Sequence, residues 1–249
     1  MREIEPSDNE IELVDPCFWN DAIYEESVKR MHTTGHLPQH LAVLVLGSRN
    51  KKKLGELKDL LGDLPLELTD LSPYPNAPEV DETGATFIDN AKLKASQLAP
   101  VLGTWVLGED SGLCVPALQG APGVYSARYA GTHGDDAANN AKLLQEMRDI
   151  KGDDRRAYYV SAAALANPAG EIVATVEGRC WGVIGTERKG DGGFGYDPLF
   201  IIPEYHASFG ELSATVKHAL SHRGRAVTQL RPLIRKLMLS QEEKTINHG

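Results

Sequence analysis

Apolar positions along the chain follow two repeats, and the switches between them mark out the elements. "LAVLVLGS" (residues 41–48) is a nearly unbroken apolar run, the pattern of a strand buried on both faces. In the next segment, "RNKKKLGELKDLLG", Leu54, Leu57, Leu60 and Leu61 recur at helical spacing and Gly62 offers a stop. "LPLELTDL" reads as a second strand, and the proline-punctuated "SPYPNAPEV" as a loop. "ETGATFIDNAKLKASQLAPVLG" predicts a helix with Thr83 as its cap and Phe87, Ala91, Ala95 and Leu98 as its buried stripe. "TWVLGEDSGLCVPAL" predicts a strand, a break permitted by Gly112, and a second strand. "DDAANNAKLLQEMRD" predicts a helix capped by Asp135 or Asp136, and "RRAYYVSAAALANPAGEIVATVEGRCWGVI" a long hairpin turning at Asn167-Pro168-Ala169-Gly170. "GGFGYDPLFIIP", a short capped segment near "ELSATVKHALS" and a helix from about His222 to Leu239 complete the order. It implies an α/β protein with a mixed sheet.

Residues 1–40 differ from this pattern. They mix acids with a few large apolar side chains and read as an N-terminal extension, partly ordered or serving as a packing arm anchored by Phe18 and Trp19. The spacing allows a helix there from about Asn20 to Met31. The main domain is expected over residues 41–240, followed by a polar tail over 241–249.

Length and charge narrow the functional classes. A chain of 249 residues suits one large domain or two small ones. Its formal net charge of −9 repels a long polyanion, so duplex nucleic acid is not an expected partner. A small anion needs only a few local cations and backbone N–H groups. No apolar run reaches the length of a membrane span, and the acidic start lacks a signal-peptide pattern. Cys17, Cys114 and Cys180 have no paired spacing, which argues against a zinc site or a disulfide framework. The expectation is a soluble cytoplasmic protein without membrane partners.

Four segments could carry chemistry. "GSRNKKK" follows a buried strand and opens a helix, so its N–H groups, with Ser48, Arg49, Asn50, Lys51, Lys52 and Lys53, suit an anion. It is not a P-loop, which needs a different glycine and lysine spacing. The acids Glu79, Asp81, Glu82, Glu109 and Asp110 form the second set. Gathered carboxylates repel one another, and a Mg²⁺ ion would relieve this. Glu82 also suits the first turn of a helix, where it would complement the dipole, and Asp110 suits a turn before Gly112. The third is "KGDGGFGYDP", where Gly195 belongs to a glycine-rich loop, Phe194 and Tyr196 offer faces for a base, and Asp197 could accept from a purine N–H. In "ATVKHALSHRG", Lys217, His222 and Arg223 cluster before the last helix, and Ser221 suits a cap.

Taken in order, "SRNKKK", "ETGATFIDNAKLKA", "EDSGL", "GAPGVYSARYAG", "GGFGYDP" and "KHALSHRG" resemble the inosine triphosphatase family, the Ham1-like or RdgB-like purine nucleoside triphosphate pyrophosphatases. The resemblance runs from about Leu41 to about Leu239. It implies an elongated, two-lobed α/β molecule with a central mixed sheet flanked by helices and a cleft between the lobes. It also implies a homodimer that uses Mg²⁺ to hydrolyse ITP, dITP and XTP to the monophosphate and pyrophosphate.

Carried onto this chain, the resemblance makes Ser48 to Lys53 the phosphate-binding turn, with Arg49 where glycine is usual. Glu82 becomes the metal-associated acid, Asp110 the proton acceptor and metal ligand, and Glu109 an acid in or behind the metal's ligand set. Ser111, Phe194 to Asp197, Lys217, His222 and Arg223 become substrate contacts. Two readings compete: a Maf-type pyrophosphatase of different base specificity, and a nucleotide sensor that binds without cleaving. A nucleotide panel with pyrophosphate detection separates all three.

Overall fold

The computed structural model describes residues 42–246. The extension over residues 1–40, with its expected helix and its anchors Phe18 and Trp19, lies outside the described residues. Seven strands form one mixed sheet in the order β2-β1-β3-β4-β5-β6-β7. The strands are β1 (Ala42–Leu46), β2 (Leu66–Thr69), β3 (Trp105–Cys114), β4 (Arg156–Ala166), β5 (Ile172–Ile184), β6 (Phe200–Ile202) and β7 (Ala207–Ser208). β1 runs parallel to β2 and β3, and every later pairing is antiparallel. The two parallel crossovers are made by helices α1 (Lys51–Leu61) and α2 (Phe87–Leu102), as parallel neighbours require. Helices α3 (Asp136–Glu146), α4 (Ala214–Leu220) and α5 (His222–Ile246) follow. This is the expected mixed sheet flanked by helices.

Strand periodicity divides the core between the two sheet faces. On one face Leu44, Leu46, Leu107 and Leu165 pack with Leu54, Leu57 and Leu61 of α1 and Val227, Leu230 and Ile234 of α5. On the other, Val45, Val106, Val160 and Ala162 pack with Phe87, Ala91, Ala95 and Leu98, the stripe predicted for α2. A third cluster joins Leu113 and Tyr159 to Leu143, Phe200 and Phe209. The predicted hairpin forms as β4 and β5. Asn167 closes it, accepting at its side chain from the N–H groups of Ala169 (3.0 Å) and Glu171 (3.1 Å).

Three local expectations need correction. β3 does not break at Gly112 but continues through it, paired with β4 from Val106 to Cys114. The glycine serves a close approach instead: a Cβ there would stand 2.3 Å from Ser126 Oγ. Helix α2 starts later than predicted, because Thr86 rather than Thr83 is its cap, accepting from Asp89 N at 3.2 Å. Asn90 Oδ1 accepts from Gly84 N at 2.8 Å and holds the segment before the cap away from the helix. Glu82 is therefore not a first-turn acid. The last helix runs to Ile246, past the predicted Leu239 and into the expected tail, since "SQEEKT" contains neither glycine nor proline to stop it.

The helix–sheet contact that matters most depends on Gly108. A Cβ at this position would sit 2.0 Å from the carbonyl oxygen of Ala91. Only glycine lets α2 lie this close to β3, and the contact brings Asn90 and Lys94 of α2 onto Asp110 of β3.

Candidate active site

A cavity of about 490 Å³ opens beside α1, β3 and the loop before β6. Ser48, Arg49, Asn50, Lys53, Glu79, Glu82, Asp110 and Ser111 line it, as do Phe194, Gly195, Tyr196, Asp197, Lys217, His222 and Arg223. Segments far apart in sequence thus converge on one space, as the four candidate segments suggested. Of the anion-turn and acidic residues singled out from sequence, Lys51, Lys52, Asp81 and Glu109 are not in the lining. Lys51 pairs with Asp70 at 2.7 Å, and Lys52 lies 3.3 Å from Asp136.

One end of the cavity is the N-terminus of α1. Asn50 caps that helix, its side chain accepting from Lys52 N (3.0 Å) and Lys53 N (3.2 Å). Ser48 Oγ in turn accepts from Asn50 N at 3.1 Å. The turn thus presents a positive helix end beside the Lys53 ammonium, an arrangement suited to an anion. Arg49, which also lines the cavity, donates from its guanidinium to the carbonyls of Ala77 (3.3 Å) and Tyr74 (3.5 Å), tying the turn to the proline-rich loop.

The cavity wall also holds a cluster of two carboxylates and one amine. Lys94 Nζ lies 3.0 Å from Glu82 and 3.1 Å from Asp110. Asn90 Nδ2 donates to the second oxygen of Asp110 at 3.1 Å. Burial raises the Asp110 pKa, and the nearby Glu82 charge adds to this against the opposing pull of Lys94 and Lys53. Burial also acts to raise the half-buried Glu82, but the Lys94 charge and hydrogen bond, with the Lys53 and Arg128 charges, together outweigh it and its pKa falls below the usual value. The two acids are thus set apart, with Asp110 the better proton acceptor of the pair. Lys94 was not singled out from the sequence. Burial acts to lower its pKa, but Asp110 and Glu82 overcome this and hold it protonated.

Glu109 does not share this space. Adjacent residues on a strand point to opposite sheet faces, and β3 is unbroken here. Asp110 faces α2, whereas Glu109 faces α1 and α5, 1 % exposed. Its carboxylate meets Lys53 Nζ at 2.7 Å, Arg223 Nη2 at 3.0 Å and Ser161 Oγ at 2.8 Å. Burial acts to raise its pKa, yet Arg223 and Lys53 hold it well below the carboxylate range. A carboxylate so enclosed does not fit a direct place in the metal's ligand set, which leaves the position behind it that the resemblance also allowed.

From Glu109 an alternating chain of charges crosses the site. Arg223 also pairs with Glu56, Glu56 with Lys217 at 2.7 Å, and Lys217 with Asp197 at 2.7 Å. Charges so deeply buried are tolerable only when paired in this way. Arg223 further donates to Ser111 Oγ at 3.0 Å. Asp197 accepts from Phe194 N at 2.8 Å and thereby shapes the loop that carries the Phe194 ring. His222 stacks on Tyr159 with ring centroids 4.6 Å apart. Burial, reinforced by Arg223, holds its pKa well below 6.5, so it is neutral, and its buried Nδ1 has no hydrogen-bond partner. Ser221 is the cap it was expected to be, accepting from Gly224 N at 3.1 Å.

Among the described residues, no three His, Cys, Asp or Glu side chains stand close enough to form a metal centre by themselves. Mg²⁺, however, is usually held by one or two carboxylates together with substrate phosphates and water. Glu82 and Asp110, on one wall of a cavity that also has a cationic end, fit an ion that is completed by a phosphate ligand.

The sequence model of the Ham1 family matches residues 44–233. A dITP/XTP pyrophosphatase of Rhodopirellula baltica is 55% identical over 197 residues, covering 79% of this chain and 95% of the relative. One from Exiguobacterium sibiricum is 49% identical over 187 residues, covering 75% of this chain and 94% of the relative. Among solved structures, a HAM1 protein from Coxiella burnetii superposes with a TM-score of 0.71 at 36% identity, covering 79% of this chain and all (100%) of that one. A nucleoside-triphosphatase / dITP/XTP pyrophosphatase from Mycobacterium abscessus gives 0.63 at 46% identity, covering 76% of this chain and 99% of that one.

Proposed function

Because this chain belongs to the Ham1 family, we propose that its cavity hydrolyses ITP, dITP and XTP to the monophosphate and pyrophosphate, clearing deaminated purines from the nucleotide pool. The observation that carries the reading is the placing of Glu82 and Asp110 in one cavity that a cationic helix end and Phe194 also line. The triphosphate lies toward Ser48, Asn50 and Lys53, with Lys94, Lys217 and Arg223 offsetting its charge. Asp110 takes the proton of a water that attacks the α-phosphorus, and the bond from that phosphorus to the bridging oxygen of pyrophosphate breaks. Glu82 and Asp110 would hold Mg²⁺, which supplies charge neutralisation to the phosphates when bound.

The base lies against Phe194. Neutral His222 offers its imidazole to a 6-oxo group, which hypoxanthine and xanthine carry and adenine lacks. A buried donor left unpaired against adenine is the source of discrimination. Pyrophosphate release from ITP, dITP, XTP, GTP, ATP and dTTP, with Mg²⁺ and with chelator, tests the reading. Preference for ATP or dTTP rejects the assignment, and full activity in chelator rejects the metal. The family resemblance also supports a cytoplasmic homodimer, which the native mass in solution checks.

A further inference from the structure

The Phe194 loop is held by more than its own residues. Phe194 N donates to Asp197 and Tyr196 N donates to Tyr159 Oη at 3.1 Å. The Gly195 peptide between them is gripped on both sides by the first turns of α3. Gly195 N donates to Asp136 Oδ2 at 3.0 Å, and Asn140 Nδ2 donates to Gly195 O at 2.7 Å. Asn140 Nδ2 also donates to Asp136 O at 2.6 Å, which locks the two gripping residues together. Gly195 has φ of +62°, a left-handed conformation that favours glycine. Nothing is closer than 3.9 Å to a Cβ built there, so backbone conformation rather than crowding explains the glycine.

Asp136 stands in the first turn of the helix but is not its cap. Asp135 is the cap of α3, accepting from Ala138 N at 2.9 Å. The Asp136 oxygen that receives Gly195 N is also 3.3 Å from Lys52 Nζ. Lys52 follows the phosphate-side turn, and its ammonium lies 5.7 Å from the Phe194 ring centre. One carboxylate thus contacts both the Phe194 loop and a lysine of the turn that opens α1.

We propose that Asp136 and Asn140 are positioning residues for base recognition: by clamping the Gly195 peptide they set where the Phe194 ring meets the purine. This rests on the nucleotide reading above and adds to it two residues that fix purine selectivity without contacting the reacting atoms. Loss of the clamp loosens the ring while leaving the α1 turn and the Lys94–Asp110 contact in place.

The test uses the full chain and compares wild type, Asp136→Ala, Asp136→Asn and Asn140→Leu, each checked for its thermal melt. Asp136→Asn keeps an acceptor for Gly195 N and loses only the charge toward Lys52. Pyrophosphate release from ITP, GTP and ATP gives the selectivity, and inorganic tripolyphosphate as a competitive inhibitor reports the phosphate end alone. In Asp136→Ala and Asn140→Leu the preference for ITP falls about tenfold or more, with KM rising more than kcat drops. Asp136→Asn restores most of that preference, and inhibition by tripolyphosphate changes little in any variant. Folded Ala and Leu variants with unchanged preference overturn the proposal. So does equal loss of ITP and tripolyphosphate binding, or an Asn variant as damaged as the Ala variant. If wild type binds ITP without releasing pyrophosphate, the proposed activity fails by itself. The clamp is then judged on ITP dissociation constants, where an Asp136→Ala value equal to wild type overturns it.

Discussion

Lys53 Nζ stands 2.7 Å from Glu109 Oε2, so the cation of the phosphate-side turn is tethered to a carboxylate on the far face of β3. Sequence adjacency suggests that Glu109 and Asp110 act as a pair. Strand geometry separates them: Asp110 opens on the cavity with Lys94, and Glu109 anchors Lys53 and Arg223 behind it.

Glu109→Gln should therefore act on stability and cation placement rather than on metal affinity. The variant leaves Lys53 and Arg223 short of a buried counter-charge, a defect worth roughly 3–5 kcal/mol when one partner of a buried pair is removed. Urea unfolding should show this loss, and the Mg²⁺ concentration for half-maximal turnover should stay near wild type. A large rise in that concentration with wild-type stability would mean that Glu109 is a metal ligand.

Asp110→Asn should lose turnover on the order of 10²–10⁴-fold, the usual range for removing a proton acceptor. Its fold should survive at some cost in stability, because the amide oxygen can accept from Lys94 or from Asn90 while its NH₂ then faces the other donor. Pyrophosphate release, read beside the melting curve, decides the matter. Turnover like that of wild type would remove Asp110 from the chemistry.

How far all this can be read from the sequence differs by residue. β1, the α2 stripe and the hairpin were legible because their apolar repeats are set by packing against a single sheet. The cavity residues were legible because ordered motifs carry them. Lys94 left a signal that went unused: it stands between Ala91 and Leu98 at helical spacing, a charge on the buried stripe, where a lysine needs a partner. The opposite orientations of Glu109 and Asp110 would have followed from strand alternation had Gly112 not suggested a break. Glu56, Asp136 and Asn140 were not legible. Each is an ordinary polar residue on a helix, and its partner lies far along the chain: 161 positions separate Glu56 from Lys217 and 59 separate Asp136 from Gly195. Only the folded sheet brings such pairs together.

Lys94→Gln should damage activity and stability together, and the stability loss should depend on pH. Without the ammonium, Glu82 and Asp110 face each other with no cation between them, and like charges raise carboxylate pKa values. In the variant the folded protein then binds protons more readily than the unfolded chain over the acid range. Its stability deficit relative to wild type should be largest at neutral pH and shrink toward pH of about 5. Urea midpoints for both proteins across that range test this, and a deficit that grows with acid would contradict the bridging role.

His222 provides a second pH test with the opposite sign. Its folded pKa lies well below 6.5, because burial and the neighbouring Arg223 charge both oppose the imidazolium. Between the folded value and 6.5 the unfolded chain binds the proton and the folded protein does not. Stability contributed by neutral His222 is thus complete above 6.5 and declines as pH falls below it, by up to about 1.4 kcal/mol per pH unit. His222→Gln removes this titration while keeping a polar side chain beside Tyr159. Denaturant unfolding at neutral pH and about one unit below 6.5 should show wild type losing more stability than the variant. Equal losses would mean that His222 takes up a proton in the folded state, and a neutral donor to the purine 6-oxo group would have to be sought elsewhere in the cavity.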